Sequence, residues 1–322
     1  AGKDAQLVSS YVGKDRFIVG TASHATDILW AYEFIPSTGA IASTTPSNPA
    51  INTMDVNDID IGWYDNAVAV ATDGGDFVYL YGIDPNGALS GFWNSVASAP
   101  TSPPGAECNT VDFDKNANYL AIGCTTSPYL HVYAITNGGS GTPAWSTKST
   151  DPVTLPGGSV TGVKFSPDNL RLAVTVANGD ILVYDFNAGT IGDVASQNIS
   201  ATLGYPTSVS WLKEDITGPT VLAVGATTAP YIHAWNYDTS VTVGIGCLCF
   251  VTKIDDPGTS LGSEVTSIDF HPNDDTVVVG QVSAPYVTAY NFQGVSDDDY
   301  RVYRYVLNFD TSYLPDDAVV SS

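Results

Sequence analysis

TTSPYLHVYAI occupies residues 125–135, and TTAPYIHAWNY returns at 227–237, 102 positions later. A third variant, VSAPYVTAYNF, fills 282–292, and VANGDILVYDF at 176–186 keeps the rhythm halfway between the first two. In each copy small polar residues, Gly or Pro precede a run of alternating aromatic and β-branched residues, the pattern of a tight turn opening a strand. Pro128 stands where a strand begins and a missing N–H costs little. The two-residue alternation then places Tyr129, His131 and Tyr133 on one face of that strand.

Working outward, short apolar runs ending in a small residue occur at 16–20, 67–71, 119–123, 171–175, 221–225 and 277–280, with ends 51, 52, 52, 50 and 55 residues apart. After each comes a tight connection and a second strand whose aromatic recurs as Tyr32, Tyr81, Tyr133, Tyr184, Trp235 and Tyr290. Before five of them stands a strand with alternating apolar residues: Ile59/Ile61, Val111/Phe113, Val163/Phe165, Val209/Trp211 and Ile268/Phe270; only LVSSYV at 7–12 departs. A weaker fourth strand follows in every unit. Four short antiparallel strands per repeat of this length is the signature of a propeller blade, which buries its faces only against its neighbours. The expected fold is therefore all-β, a single β-propeller domain spanning 1–322 with six four-stranded antiparallel blades, or seven as the alternative. The repeats run approximately 5–54, 55–106, 107–158, 159–204, 205–263 and 264–310, and 311–322 forms a tail or closing strand, with DAVVSS at 317–322 able to add to an end blade.

Composition agrees. The 322 residues include 30 Asp but 4 Glu, one Met, 30 Gly and 19 Pro, which starves helices and supplies turns, and no stretch has helical periodicity. A net charge of −23 repels phosphate backbones and anionic lipid surfaces, so nucleic acid is not an expected partner. No apolar run approaches the length of a membrane-spanning helix, so membrane insertion is not expected either.

VTGVKFSPDNLRLAVTVANGDILVYDF at 160–186 resembles a WD-repeat blade, with an apolar-x-Phe-Ser-Pro-Asp-Asn turn and Tyr-Asp where Trp-Asp would stand, and VTSIDFHPNDDTVVVG at 265–280 has a similar turn. The repeats lack the Gly-His start of that family. The APY and SPY phrases, joined to segments such as WSTKSTDPVTLPGG at 145–158, look like the degenerate WD-like propellers of tailed phages and related viruses. That resemblance implies a virion structural or adhesion protein, with other virion proteins and a host glycan or receptor as partners and the extracellular particle as its location.

Several residue groups invite chemistry, and each has a plainer reading. Pairing Phe113 with Tyr119 across the DKNAN turn at 114–118 sets Cys108 opposite Cys124, as a cross-strand disulfide or as two buried thiols. Cys247 and Cys249 share a strand face but lack a second pair at zinc spacing. His24, His131, His233 and His271 are scattered; His131 and His233 hold the same place in two repeats, which the repeat itself explains. GTSLG at 258–262 matches the Gly-x-Ser-x-Gly pattern, yet Ser260 has no strand before it and no helix after it. Asp60, Asp112, Lys164, Ser210 and Asp269 take equivalent places on the innermost strands, where they either hold a cation or bond their neighbours. Asp274–Asp275, Asp297–Asp299 and Asp316–Asp317 read as solvated charge.

These groups predict no catalytic residues, no metal site and no cofactor, and hence no enzyme. The expected contact surface is the face carrying the turns between strands two and three and the connections 44–53, 99–108 and 255–264, rich in hydroxyls, Pro and Gly. Tyr129, Tyr231 and Tyr286 begin strand three beside it and are the candidate binding residues, either stacking on a ligand or packing between blades. Besides the virion module, a cellular interaction scaffold and a propeller lactonase or hydrolase are the competing functions.

Overall fold

The structure, a computed structural model, describes residues 3–10, 16–21, 29–35, 37–38, 40–42, 54–62, 66–84, 92–138, 142–198, 204–212, 220–237, 250–254, 261–270, 276–283, 286–295, 299–306 and 318–319. They contain strands throughout and no helix. The chain divides into two compact units: unit 1 is Ala1–Ser149 with Asp310–Ser321, and unit 2 is Thr150–Phe309 with Ser322.

Unit 1 holds three sheets. The first combines β1 (Lys3–Ser10), β2 (Arg16–Thr21), β3 (Leu29–Ile35) and β4 (Ala40–Ala42); the second β5 (Val56–Ile61), β6 (Ala67–Thr72), β7 (Val78–Ile83) and β8 (Trp93–Val96); the third β9 (Cys108–Phe113), β10 (Tyr119–Cys124), β11 (Leu130–Thr136) and β12 (Ala144–Lys148). Unit 2 holds three more: β13 (Val160–Phe165) to β16 (Thr190–Asn198) with β14 (Arg171–Val176) and β15 (Asp180–Asn187) between; β17 (Pro206–Trp211), β18 (Thr220–Ala226), β19 (Ile232–Tyr237) and β20 (Phe250–Ile254); and β21 (Val265–Phe270), β22 (Thr276–Gln281), β23 (Val287–Val295) and β24 (Asp299–Val306). These strands pair antiparallel in chain order. A last strand, β25 (Ala318–Val319), lies parallel to β1 through Lys3↔Ala318 and Asp4↔Val319.

The expectation of six four-stranded antiparallel blades, or seven, is corrected by this arrangement. Five sheets are four-stranded antiparallel blades, while the sheet holding β1 has five strands, one of them parallel, because the edge of β1 accepts a segment from the chain's far end. A second correction concerns the quoted phrase. Strand three begins at Leu130, Ile232 and Val287, one residue after each tyrosine, so Tyr129 does not share the alternation of His131 and Tyr133.

Burial follows strand position. β6 (AVAVAT) and β14 (RLAVTV) are buried at every residue; β6 has a neighbouring sheet of unit 1 on both faces, which calls for small or branched side chains. The fourth strands β8 and β12 are half-exposed. Between sheets lie apolar cores: Ile18, Leu29, Val70 and Tyr81 join the first two sheets of unit 1, and Leu80, Phe113, Ile122 and Tyr133 the second and third. In unit 2, Val183, Trp211 and Leu222 join the first two sheets, and Val221, Ile232, Val265 and Phe270 the next pair.

First strands are also fastened edge to edge by side chains in fixed slots. Asn57 Nδ2 donates to the Cys108 carbonyl (3.0 Å), Thr161 Oγ1 to that of Pro206 (2.7 Å), and Thr207 Oγ1 to that of Val265 (2.7 Å). Three residues further on, Asp60 Oδ2 accepts the Phe113 N–H (2.7 Å) and Ser210 Oγ accepts the Phe270 N–H (3.2 Å).

Candidate functional site

Antiparallel order puts the corner between strands two and three at the same end of a sheet as the start of strand one. One backbone bond ties the two together in five sheets. Asp73 donates to Asp55 O (3.2 Å) and Thr125 to Glu107 O (2.9 Å) in unit 1, and Ala177 to Ser159 O (2.8 Å), Thr227 to Tyr205 O (3.0 Å) and Val282 to Glu264 O (3.1 Å) in unit 2. Corner and incoming connection thus form one ledge in each of these sheets.

Each corner closes on a left-handed residue: Phe77 (φ 62°), Tyr129 (φ 65°), Gly179 (φ 98°), Tyr231 (φ 67°) and Tyr286 (φ 53°). Their N–H groups donate three residues back, to Gly74, Thr126, Val176, Thr228 and Ser283. For an L-residue this backbone costs about 1–2 kcal/mol, which only Gly179 escapes. Packing explains two of the four exceptions, since Phe77 lies against the core between the second and third sheets of unit 1 and Tyr231 against the core joining the last two sheets of unit 2. Tyr129 is half-buried, whereas Tyr286 keeps 39% of its surface exposed. Of the three candidate tyrosines, Tyr231 therefore packs between blades and Tyr286 is the one most open to a ligand.

The connections repeat as well. Pro100-Thr-Ser-Pro-Pro-Gly105 and Pro152-Val-Thr-Leu-Pro-Gly157 occupy equivalent stretches ahead of β9 and β13. In both, the first and fifth residues, Pro100/Pro104 and Pro152/Pro156, are buried while the three between them are exposed. The middle carbonyl is tethered: Tyr133 Oη donates to Ser102 O, and Tyr184 Oη to Thr154 O (2.9 Å). Two buried prolines and a tyrosine tether fix each loop, so its exposed residues are held in place.

Cys108 and Cys124 are joined as a disulfide, both buried. The pair sits at the outer end of the β9–β10 ladder, the register position taken by Val56/Thr72, Val160/Val176, Pro206/Ala226 and Val265/Gln281 elsewhere. His131 stacks on Tyr133 with centroids 6.3 Å apart, and His233 on Trp235 at 6.1 Å, so both histidines are buried in the same packing role.

The series Asp60, Asp112, Lys164, Ser210 and Asp269 is drawn into the sheets. Asp60 accepts the Phe113 N–H, and Ser210 donates to Asp269 Oδ1 at 2.8 Å. Among the described residues no group of three or more His, Cys, Asp or Glu is placed to hold a metal. Asp58, two residues before Asp60, accepts the Val111 N–H at 2.8 Å, and burial pushes its carboxyl up to about 6, against the lowering effect of that N–H and of the Thr110 hydroxyl. Burial also raises Asp114, which offsets this by accepting the N–H groups of Asn118 (2.6 Å) and Tyr119 (2.7 Å). His24, His271, Cys247, Cys249, Ser260, Asp274–Asp275, Asp297–Asp298, Asp316–Asp317 and the connection 44–53 lie outside the described residues.

No family model matches the chain, and no curated protein matches it. A chain from the crystal structure of the mitotic checkpoint complex superposes with a TM-score of 0.56 over 94% of this chain and 81% of that one, at 12% identity. Together with the sheets above, this likeness shows a β-propeller fold built of four-stranded antiparallel blades. The likeness extends to 1524 solved chains, so the fold alone selects no partner. The likeness to the checkpoint-complex chain shows no relationship to viral proteins.

Sequence reasoning located the corners and the disulfide partners but missed the tethered loops and Asp58. The signal for the loops was present: a proline, three residues, then Pro-Gly, at 100–105 and again at 152–157.

Proposed function

We propose that the chain is a non-enzymatic interaction scaffold, one β-propeller domain that presents its ledges to another protein. The observation that carries this is the pair of tethered loops. Holding Thr101, Ser102 and Pro103, or Val153, Thr154 and Leu155, rigid at the surface buries none of them, whereas a preordered loop binds a partner at lower entropic cost. The similar checkpoint-complex chain supports the reading, because it too is part of an assembly. A photo-crosslinking residue placed at Thr101 or Val153 of the full chain, expressed in its native host, tests it. The expected result is one protein captured in fixed stoichiometry from either position; a chain recovered uncrosslinked from both overturns it.

The virion structural or adhesion module is the second reading, and one observation favours it. The Cys108–Cys124 disulfide suits an oxidising setting, such as a particle outside the cell, better than a reducing cytosol. Fractionation separates the two: a virion module travels with particles, bound to other virion proteins or a host glycan or receptor, whereas a scaffold travels with cellular proteins.

A further inference from the structure

Met54 is the one methionine in 322 residues, and it stands where a short side chain serves elsewhere. It lies two residues before the outer register pair of its sheet, a place filled by Ala106, Gly158, Gly204 and Ser263 in the other four ledges. Half-buried, it packs against the core joining the first two sheets of unit 1. Its thioether reaches under the corner between β6 and β7, Asp73-Gly-Gly-Asp-Phe77, where a Cβ added to Gly75 would come within 2.9 Å of Met54 Sδ and closer still to Tyr79 Oη. The corner thus leaves room for the sulfur by carrying no side chain at Gly75, whose φ of 65° also suits glycine.

A short relay of hydrogen bonds ends on that sulfur. The Asp76 N–H donates to Tyr79 Oη (3.1 Å), and the Tyr79 hydroxyl donates to Met54 Sδ (3.6 Å). The corner is therefore held from beneath by a weak, soft acceptor, while Asp73, Gly75 and Asp76 are exposed above it. We propose that Met54 is an oxidation site, its thioether taking one oxygen atom from a hydroperoxide, and that the resulting sulfoxide unlocks the 73–77 corner. In this two-electron step a sulfur lone pair attacks the peroxide, the O–O bond breaks as the S–O bond forms, and the departing oxygen takes the proton and leaves as water or an alcohol. The sulfur is oxidised and the peroxide reduced. A hydrogen bond between oxygens needs about 2.5–3.0 Å, and Tyr79 Oη stands 3.6 Å from the sulfur itself, too near for a new oxygen to enter between them at that spacing. Tyr79 must swing with the new oxygen or release it, and either movement takes the acceptor from the Asp76 N–H. Methionine sulfoxide reductases reverse the modification, which makes the corner responsive in both directions. The site is independent of the scaffold reading, which concerns the loops ahead of β9 and β13.

The test treats the full chain with hydrogen peroxide, maps the added oxygen by peptide mass spectrometry and follows hydrogen exchange at Asp76 and Phe77. Expected are one oxygen on Met54, taken up within about tenfold of the rate of free methionine, and exchange at Asp76 at least about tenfold faster after oxidation, with β9 and β10 unchanged. Met54→Leu keeps the apolar packing and has no sulfur to oxidise, so peroxide leaves its corner unmoved. Tyr79→Phe removes the acceptor of the Asp76 N–H beforehand, so exchange there is fast from the start and peroxide adds less than about twofold. A Met54 that stays unoxidised where free methionine is converted overturns the inference, as do a sulfoxide that leaves exchange at 73–77 unchanged, faster exchange spread over the whole of unit 1, and a peroxide response retained by Met54→Leu.

Discussion

In unit 1 a carboxylate, Asp60, takes the Phe113 N–H of the next sheet; in unit 2 a hydroxyl, Ser210, takes the equivalent Phe270 N–H. The slot two residues earlier diverges further, holding Asp58 in unit 1 but Gly162 and Ser208 in unit 2. Unit 1 also carries the disulfide where unit 2 has Val160/Val176, Pro206/Ala226 and Val265/Gln281. Similar backbone geometry has thus been fastened by a buried carboxylate and a disulfide in unit 1, and by a hydroxyl backed by Asp269 in unit 2. The stability of unit 1 should therefore depend on reductant, and through Asp58 on pH, more strongly than that of unit 2.

Reductant gives the largest contrast. The disulfide closes a separation of 16 residues, and removing such a loop constraint costs about 3 kcal/mol. A Cys108→Ala/Cys124→Ala variant should lower the denaturant midpoint by that amount and speed hydrogen exchange in β9 and β10, with β14 and β18 unchanged. A loss below about 1 kcal/mol, or one spread evenly over both units, breaks the contrast.

Next in size is pH. The Asp58 carboxyl ordinarily titrates at 3.8 and is raised to about 6 by burial in the folded protein. Below pH 4 it is protonated whether the chain is folded or not. Between 4 and 6 the folded form keeps a proton that the unfolded chain has released, and above 6 it bears a buried charge, so its contribution falls as pH rises through this window. Asp58→Asn, which retains an oxygen for the Val111 N–H, should gain on the parent by up to about 2 kcal/mol between pH 4 and pH 6.5 and no further above. Stability curves of the pair that run parallel across this range contradict the assignment.

How much of this was legible follows from what each feature depends on. The corners recur because every blade must turn in the same way, so TTSPY, TTAPY and VSAPY announced them. The expected pairing of Phe113 with Tyr119 is corrected: Phe113 pairs with Leu120, and a register shift between Gly123 and Cys124 is what brings Cys124 opposite Cys108. The left-handed backbone of Tyr129, Tyr231 and Tyr286 was not legible, because a strand-like alternation continues through those residues and only the packing of Tyr231 explains one of them. The partners of Asp58 and Asp60 were hidden as well, since they are backbone N–H groups 53 residues away and carry no sequence signature. DAVVSS at 317–322 was legible as a segment able to add to an end blade, but not that it would meet β1 in parallel, because that pairing joins distant parts of the chain and local pattern cannot report it.

The smallest effect probes the hydroxyl side of the comparison. Ser210 is buried, donates to Asp269 Oδ1 at 2.8 Å and accepts the Phe270 N–H at 3.2 Å. Ser210→Ala removes both bonds, but Phe270 N–H also reaches Asp269 Oδ1 at 3.1 Å and keeps an acceptor. The net loss should be about 1 kcal/mol, the ordinary worth of one hydrogen bond, instead of the larger cost of a buried donor left with none. Because a serine hydroxyl does not titrate in this range, the loss should be the same at pH 5.5 and pH 7.5, where Asp58→Asn shifts with pH. Denaturant midpoints of Ser210→Ala at those two values decide it: equal losses place the pH response with the carboxylates of unit 1, and a loss that grows with pH would mean that the Ser210 slot is itself coupled to a titrating neighbour.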